Sequence, residues 1–135
     1  MNIIVNQVQA RVPVAVVSLK GDLDGSNYMA LIDQARQVYG NGTRHMLLDL
    51  TQVPYMSSAG VVALHTIALL LGGEQPPDPQ HGWASLRSLG SENRGTQHQL
   101  KLLGLQAHPE RTLMLAGMKE FFEVYPDLES ALASF

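Results

Sequence analysis

The sequence predicts an α/β fold, with helices packed on a mainly parallel (mixed) β-sheet. Three observations predict it. Strand-like and helix-like segments alternate along the chain. Residues 44–50, RHMLLDL, form a near-continuous apolar run of strand length, as expected of a central strand covered on both faces. Apolar residues in the intervening segments recur at spacings of three and four, the period of a helix with one buried stripe. At 135 residues the chain suits a single domain, 1–135, with room for a substantial core.

Ile3, Ile4 and Val5 open an apolar segment that continues to Val8, and residues 12–19, VPVAVVSL, are rich in β-branched side chains. These predict two strands joined by a short turn near Ala10 and Arg11. Pro13 falls early in the second strand, where its missing N–H is tolerated. Residues 21–26, GDLDGS, are a turn cluster in which Asp24 or Ser26 is placed to cap the next helix. That helix follows from Tyr28, Leu31, Ile32, Ala35 and Val38, and it stops at Gly40, Asn41 and Gly42.

The strand at 44–50 comes next. Pro54 breaks the chain after it, and Ser57 and Ser58 stand where the turn passes into a second helix. From Ala59 onward that helix is apolar almost all round, through Val61, Val62, Leu64, Ile67, Leu69, Leu70 and Leu71. Such a helix needs cover on its second side from another element or from a partner. Its outward side is therefore a candidate contact surface, and a homodimer through it is one arrangement to test.

Residues 72–97 change character. They are rich in Gly, Pro, Ser and polar residues, and they predict a flexible loop insertion with Trp83 and Leu86 as its apolar anchors. Residues 99–105, QLKLLGL, read as a strand, 109–115 as a short helix closed by Gly117, and 121–125, FFEVY, as a last strand. Pro126 ends it, and Asp127 is placed to cap a terminal helix through Leu128, Ala131, Leu132 and Phe135.

The serine turn is the most informative local feature. A helix start leaves about four backbone N–H groups unpaired and carries a partial positive charge. Both favour added negative charge, so a phosphate on a serine there is well accommodated. Plain helix capping is the ordinary role of serine at such a position, and spacing alone does not choose between Ser57 and Ser58. Asp24 is expected near this turn, at the sheet end where loops after parallel strands gather. Asn27 and Thr51 border the same surface.

Gly21-Asp22-Leu23-Asp24, Leu47-Leu48-Asp49-Leu50 and the run from Val53 through Pro54, Tyr55, Met56, Ser57, Ser58, Ala59 and Gly60 to Val61 together resemble the STAS domain, in particular bacterial anti-sigma-factor antagonists. The C-terminal runs at 100–105 and 121–132 are similar to that family as well. The resemblance covers nearly all of the chain outside 72–97. It implies a STAS-like fold and a phosphorylation-switched binding module. The partner it implies is an anti-sigma factor that is also a serine kinase, bound when the acceptor serine is unphosphorylated; a phosphatase resets the switch. By motif position the acceptor is Ser58, with Ser57 as the alternative. The contact surface so implied comprises Asp24, Asn27, Thr51, Met56, Ser57, Ser58, Gly60 and Val61. The family often carries aspartate just before the acceptor; here Ser57 stands there. The resemblance also implies that ATP and magnesium belong to the partner kinase, with no cofactor of this chain's own. A second implied role is a non-switching scaffold subunit of a signalling assembly or a membrane transporter.

Composition excludes other classes. The formal net charge of −3 gives no basic footprint for nucleic acid. With no cysteine there is no disulfide framework, thiolate zinc site or cysteine nucleophile, which suits a reducing cytoplasm. The N-terminal residues lack the pattern of a signal peptide. The apolar run at 59–71 is interrupted by His65 and Thr66 and is shorter than the ~20 residues a spanning helix needs, so no membrane insertion is expected. Ser58, His65 and Asp49 supply the residue types of a hydrolase triad. His65, however, lies about two turns, roughly 10 Å, along the helix, and no G-x-S-x-G elbow surrounds the serines. The histidines, His45, His65, His81, His98 and His108, show no metal-ligand spacing. The expectation is a protein that is not an enzyme.

Overall fold

In the computed structural model, residues 1–73 and 97–135 are described. The loop expected at 72–97, with Trp83, Leu86 and His81, lies almost wholly outside them. The first two strands, β1 (Asn2–Gln9) and β2 (Pro13–Lys20), pair antiparallel, from Asn2 opposite Lys20 to Gln9 opposite Pro13. Then come α1 (Tyr28–Gly40), β3 (Met46–Gln52), α2 (Ser58–Leu71), β4 (Leu100–Leu103), α3 (Ala107–Leu115), β5 (Glu123–Tyr125) and α4 (Leu128–Ala133). The strands form one five-stranded sheet in the order β1-β2-β3-β4-β5. The pairs β2–β3, β3–β4 and β4–β5 are parallel, so the sheet is mixed and mainly parallel.

Alternation along each strand sorts the core. Successive strand residues point to opposite faces. Met46, Leu48 and Leu50 face the larger apolar cluster, which holds Leu31 and Ile32 of α1, Val61, Leu64 and Ile67 of α2, and Leu113 of α3. Leu47 faces the other side, with Val14, Val16, Leu103 and Ala131 of α4. Both faces of β3 are covered, and that is why its sequence reads as a continuous apolar run. On the α4 side, Lys101 is only 3% exposed. Its Nζ donates to the Ser134 carbonyl at 2.9 Å and to Ser134 Oγ at 3.0 Å, and it pairs with Glu123 at 3.4 Å. A buried ammonium is tolerable because it is paired and hydrogen-bonded.

Residues Gly60 to Ala68 of α2 are buried without interruption, between the sheet, α1 and α3. Each buried Val, Leu or Ile contributes on the order of 1.5–3 kcal/mol, as an upper bound. The second side of α2 is thus covered inside the fold, and the expected outward contact surface reduces to half-buried Leu69 and Leu70 and the helix start.

Several boundaries differ from expectation. The β3 strand begins two residues later and runs on to Gln52. Gly104, at φ +67°, ends β4 before Leu105. Residues Lys119–Phe121 form a single 3-10 turn that sends Phe122 into the core, so β5 starts only at Glu123. Helix α3 begins at Ala107, ahead of Pro109, whose missing N–H falls in the first turn where none is needed. Asp127 caps α4, its carboxylate accepting from the Ser130 N–H at 2.8 Å. Neither Asp24 nor Ser26 caps α1. Asn27 holds that position without a capping hydrogen bond, because Asp24 is engaged within its own turn. Among the described residues no helix is long and apolar enough to cross a membrane.

Candidate functional site

The serine turn leaves the C-terminal end of β3. Val53 and Met56 point inward and are fully buried, while Pro54 and Tyr55 stay exposed. Ser57 takes the N-cap position in extended backbone, φ −83° and ψ 175°, and Ser58 is the first residue of α2. The capping role is not filled. Ser57 makes no side-chain cap, and its Oγ is buried without a hydrogen-bond partner. Ser58 is half-buried, and its hydroxyl has no partner among the described residues. The two serines that sequence could not separate therefore differ: the hydroxyl of Ser57 is sealed in, and Ser58 keeps part of its surface in solvent.

Two flanking segments hold this turn. On one side is the loop after β2. The Leu23 N–H donates to the Tyr55 carbonyl at 3.1 Å, and the Ser57 N–H donates to the Leu23 carbonyl at 2.9 Å. Leu23 and Met56 thus form an isolated parallel bridge, with both side chains buried. The Gly21 N–H extends the seam to the Gln52 carbonyl at 3.0 Å. The bridge sets Asp24 and Asn27 beside the serine turn, as expected. The Asp24 carboxylate accepts from Ser26 Oγ and from the Ser26 N–H, and these hold its pKa below the usual carboxylate value. Asn27 Oδ1 accepts from the Asp24 N–H at 3.0 Å, while its Nδ2 donates to the Asp22 carbonyl at 2.8 Å. Asn27 shapes the loop.

On the other side is α3, expected as a helix but whose part in the site sequence reasoning missed. His108 Nδ1 accepts from the Met56 N–H at 3.3 Å, and Thr112 Oγ1 donates to the Met56 carbonyl at 2.9 Å. Both polar groups of one turn residue are satisfied by a single helix, four residues apart along it. The His108 ring also stacks on exposed Tyr55, with centroids 4.4 Å apart. Thr51 is exposed at the end of β3. Its N–H and Oγ1 both donate to Asp49 Oδ1, and Gln106 Nε2 donates to its carbonyl at 2.8 Å. The only available signal was the pair His108 and Thr112 at helical spacing, and nothing in that spacing points to a segment more than fifty residues upstream.

Of the surface expected to meet a partner, Asp24, Asn27, Thr51 and Ser58 stand at least partly exposed, with Ser57 backing them. Met56, Gly60 and Val61 do not belong to a contact surface. Met56 and Val61 are 0% exposed, and a Cβ added to Gly60 would overlap the Met56 and Leu23 side chains. These three residues let the start of α2 pack tightly under the Leu23 bridge. The hydrolase arrangement is not assembled either. His65 is 4% exposed and lies edge-on to Phe121, 6.1 Å between centroids, and Asp49 is engaged by Thr51. Among the described residues no three His, Asp or Glu side chains converge to hold a metal.

The chain is similar to one known family and to several solved structures. The family described as "Mlab, STAS domain" matches residues 6–76. The crystal structure of an anti-sigma factor antagonist from Mycobacterium paratuberculosis is 20% identical, with 98% of this chain and 92% of that chain covered and a TM-score of 0.68. The anti-sigma factor antagonist SpoIIAA in its unphosphorylated form is 12% identical over 96% of this chain and 92% of that one, with a TM-score of 0.53. The Bacillus cell fate determinant SpoIIAA in the phosphorylated form is 13% identical over 96% of each chain, with a TM-score of 0.52. At these identities the structural likeness is one of fold. No curated protein sequence matches the chain.

Proposed function

The chain belongs to the STAS domain family, and from that premise we propose that it is an anti-sigma-factor antagonist, a binding module switched by phosphate on Ser58. One observation carries the reading. Ser58 is the first residue of α2, partly exposed, with a hydroxyl committed to no hydrogen bond among the described residues, on a turn pinned from both sides. A phosphate there meets the free N–H groups and positive end of a fourteen-residue helix. It adds about −1.5 to −2 charge at neutral pH without disturbing the core. A partner docked over the turn would have to desolvate that charge, and each ~1.4 kcal/mol so lost weakens binding tenfold.

The fold stays constant and the affinity changes. The partner is an anti-sigma factor with serine kinase activity, and a phosphatase resets the switch. This protein is the substrate of phosphoryl transfer and is not an enzyme; ATP and magnesium act in the kinase. Its site of action is the cytoplasm.

The test is mass spectrometry on protein from its native cell, in growth and under stress, joined to pull-downs with Ser58→Ala and Ser58→Asp. The expected outcome is a condition-dependent phosphate on Ser58, capture of a kinase by Ser58→Ala and loss of capture by Ser58→Asp. Equal capture by both variants would overturn the switch. It would instead support the second reading, a non-switching scaffold subunit of a signalling assembly or transporter. Serine in place of aspartate at position 57, together with the family description "Mlab, STAS domain", favours keeping that second reading in the test.

A further inference from the structure

The β1 strand is an outer strand of the sheet, and among the described residues nothing pairs with its free edge. Outer strands of monomeric proteins usually carry a charge, a proline, a bulge or a cover that blocks pairing with another chain. The sequence of β1, NIIVNQVQ, has no charged residue and no proline. Its register against β2 runs unbroken over all eight residues. Ile4 is 58% exposed on it. The opposite outer strand, β5, is only three residues long, begins with Glu123 and is followed by Pro126. Among the described residues one edge of the sheet is protected and the other is bare.

We propose that the free edge of β1 pairs antiparallel with β1 of a second copy of this chain, joining the two sheets into one across a two-fold axis. The occupant follows from charge and from face. At a two-fold axis the residue on the axis meets its own counterpart and its neighbours meet residues of the same strand, so a charge on the axis would repel itself; β1 has none. An axis perpendicular to the sheet keeps each residue on its own face. Centring the pair on Ile4 sets Ile4 against Ile4 of the second copy, and Ile3 against Val5. Ile3 and Val5 are half-buried on the face that carries the larger core. Ile3, Ile4 and Val5, the apolar side chains at the centre of the pair, then each gain an apolar neighbour. The seam is one strand wide and, over the overlap from Asn2 to Asn6, about 17 Å long. It is smaller than a standard stable interface of ~1,200–2,000 Å², so the dimer is reversible and concentration-dependent. This surface is separate from the serine turn, and the inference does not rest on the regulatory reading.

Sedimentation velocity of the full chain across about 5 to 500 μM tests it, a range that brackets weak association. The expected result is a monomer that converts to a dimer as concentration rises. Ile4→Lys and Ile4→Glu should each remain monomeric over the range with an unchanged thermal midpoint, since Ile4 is exposed. An equimolar mixture of the two should restore the dimer. A wild-type chain that stays monomeric throughout would overturn the proposal. So would a dimer that survives Ile4→Lys, which would use another surface, or growth beyond the dimer, which would mean the edge does not close on itself.

Discussion

Replacing Gly104 by alanine should destabilise the protein by about 2–5 kcal/mol, in two separable parts. Gly104 sits at φ +67°, where an L side chain costs roughly 1–2 kcal/mol. An added Cβ would also overlap Thr51 Cγ2 and crowd Thr51 Cβ and Cα. Overpacking of this kind typically costs about 1–3 kcal/mol. The two parts separate because only the second depends on Thr51. Thr51→Ser removes Cγ2 and keeps the hydroxyl bonded to Asp49. In the Gly104→Ala background it should recover most of the overlap, on the order of 1–3 kcal/mol, and leave the backbone strain. Gly40→Ala is the control: its φ is not positive, and a Cβ there meets nothing within 4 Å, so the change should be neutral or stabilising by up to about 1 kcal/mol. The assay is urea unfolding of the four proteins, read as a shift in midpoint at constant slope. Failure of Thr51→Ser to rescue, or a Gly104→Ala protein as stable as wild type, would refute the reasoning that the two chain segments meet there. The point bears on the site, because this contact seats the connection that leads into α3, and α3 holds Met56.

Other expected outcomes are as direct. Thr112→Val should cost about 0.5–1.5 kcal/mol through the lost bond to the Met56 carbonyl, and His108→Ala should speed hydrogen exchange at the Met56 amide before it changes global unfolding. The carboxyl of Asp127 is held below its ordinary value by the Ser130 N–H and hydroxyl. Its contribution to α4 is therefore present above the ordinary carboxylate range and lost as pH falls through the lowered value, and Asp127→Ala should abolish that part of the acid dependence. Burial, and then the charge of Lys101, hold the His45 pKa below 6.5. The unfolded chain takes up that proton more readily, so stability should fall as pH drops from about 6.5 toward the lowered value, and His45→Phe should flatten the slope. Ser58→Asp should leave the thermal midpoint within about 2 °C of wild type, corresponding to a surface change of under ~0.5 kcal/mol; a larger fall would mean that the start of α2 does not tolerate negative charge.

Within the chain itself, local periodicity was enough for the order of elements. Alternation and β-branching marked β1 and β2, three-four spacing marked α1, and the run at 44–50 marked a strand buried on both faces, as β3 is. Pro126 and Asp127 marked the start of α4, because capping is a matter of neighbouring residues. The motif around Ser57 and Ser58 also placed the start of α2 correctly, since proline and serine act on the adjacent backbone.

What tertiary structure alone decided depends on distance along the chain. The sequence showed that α2 must be covered, but α1 and α3 had to be folded against it before the cover was known, so Met56, Gly60 and Val61 changed from contact residues to core. That the hydroxyl of Ser57 is buried while that of its neighbour Ser58 is not was likewise a matter of packing. The clamp of His108 and Thr112 on Met56 joins residues more than fifty positions apart. Periodicity carries information over a few turns of helix or one strand. Which helix closes over which turn is settled by packing of the whole sheet, and no local pattern encodes it.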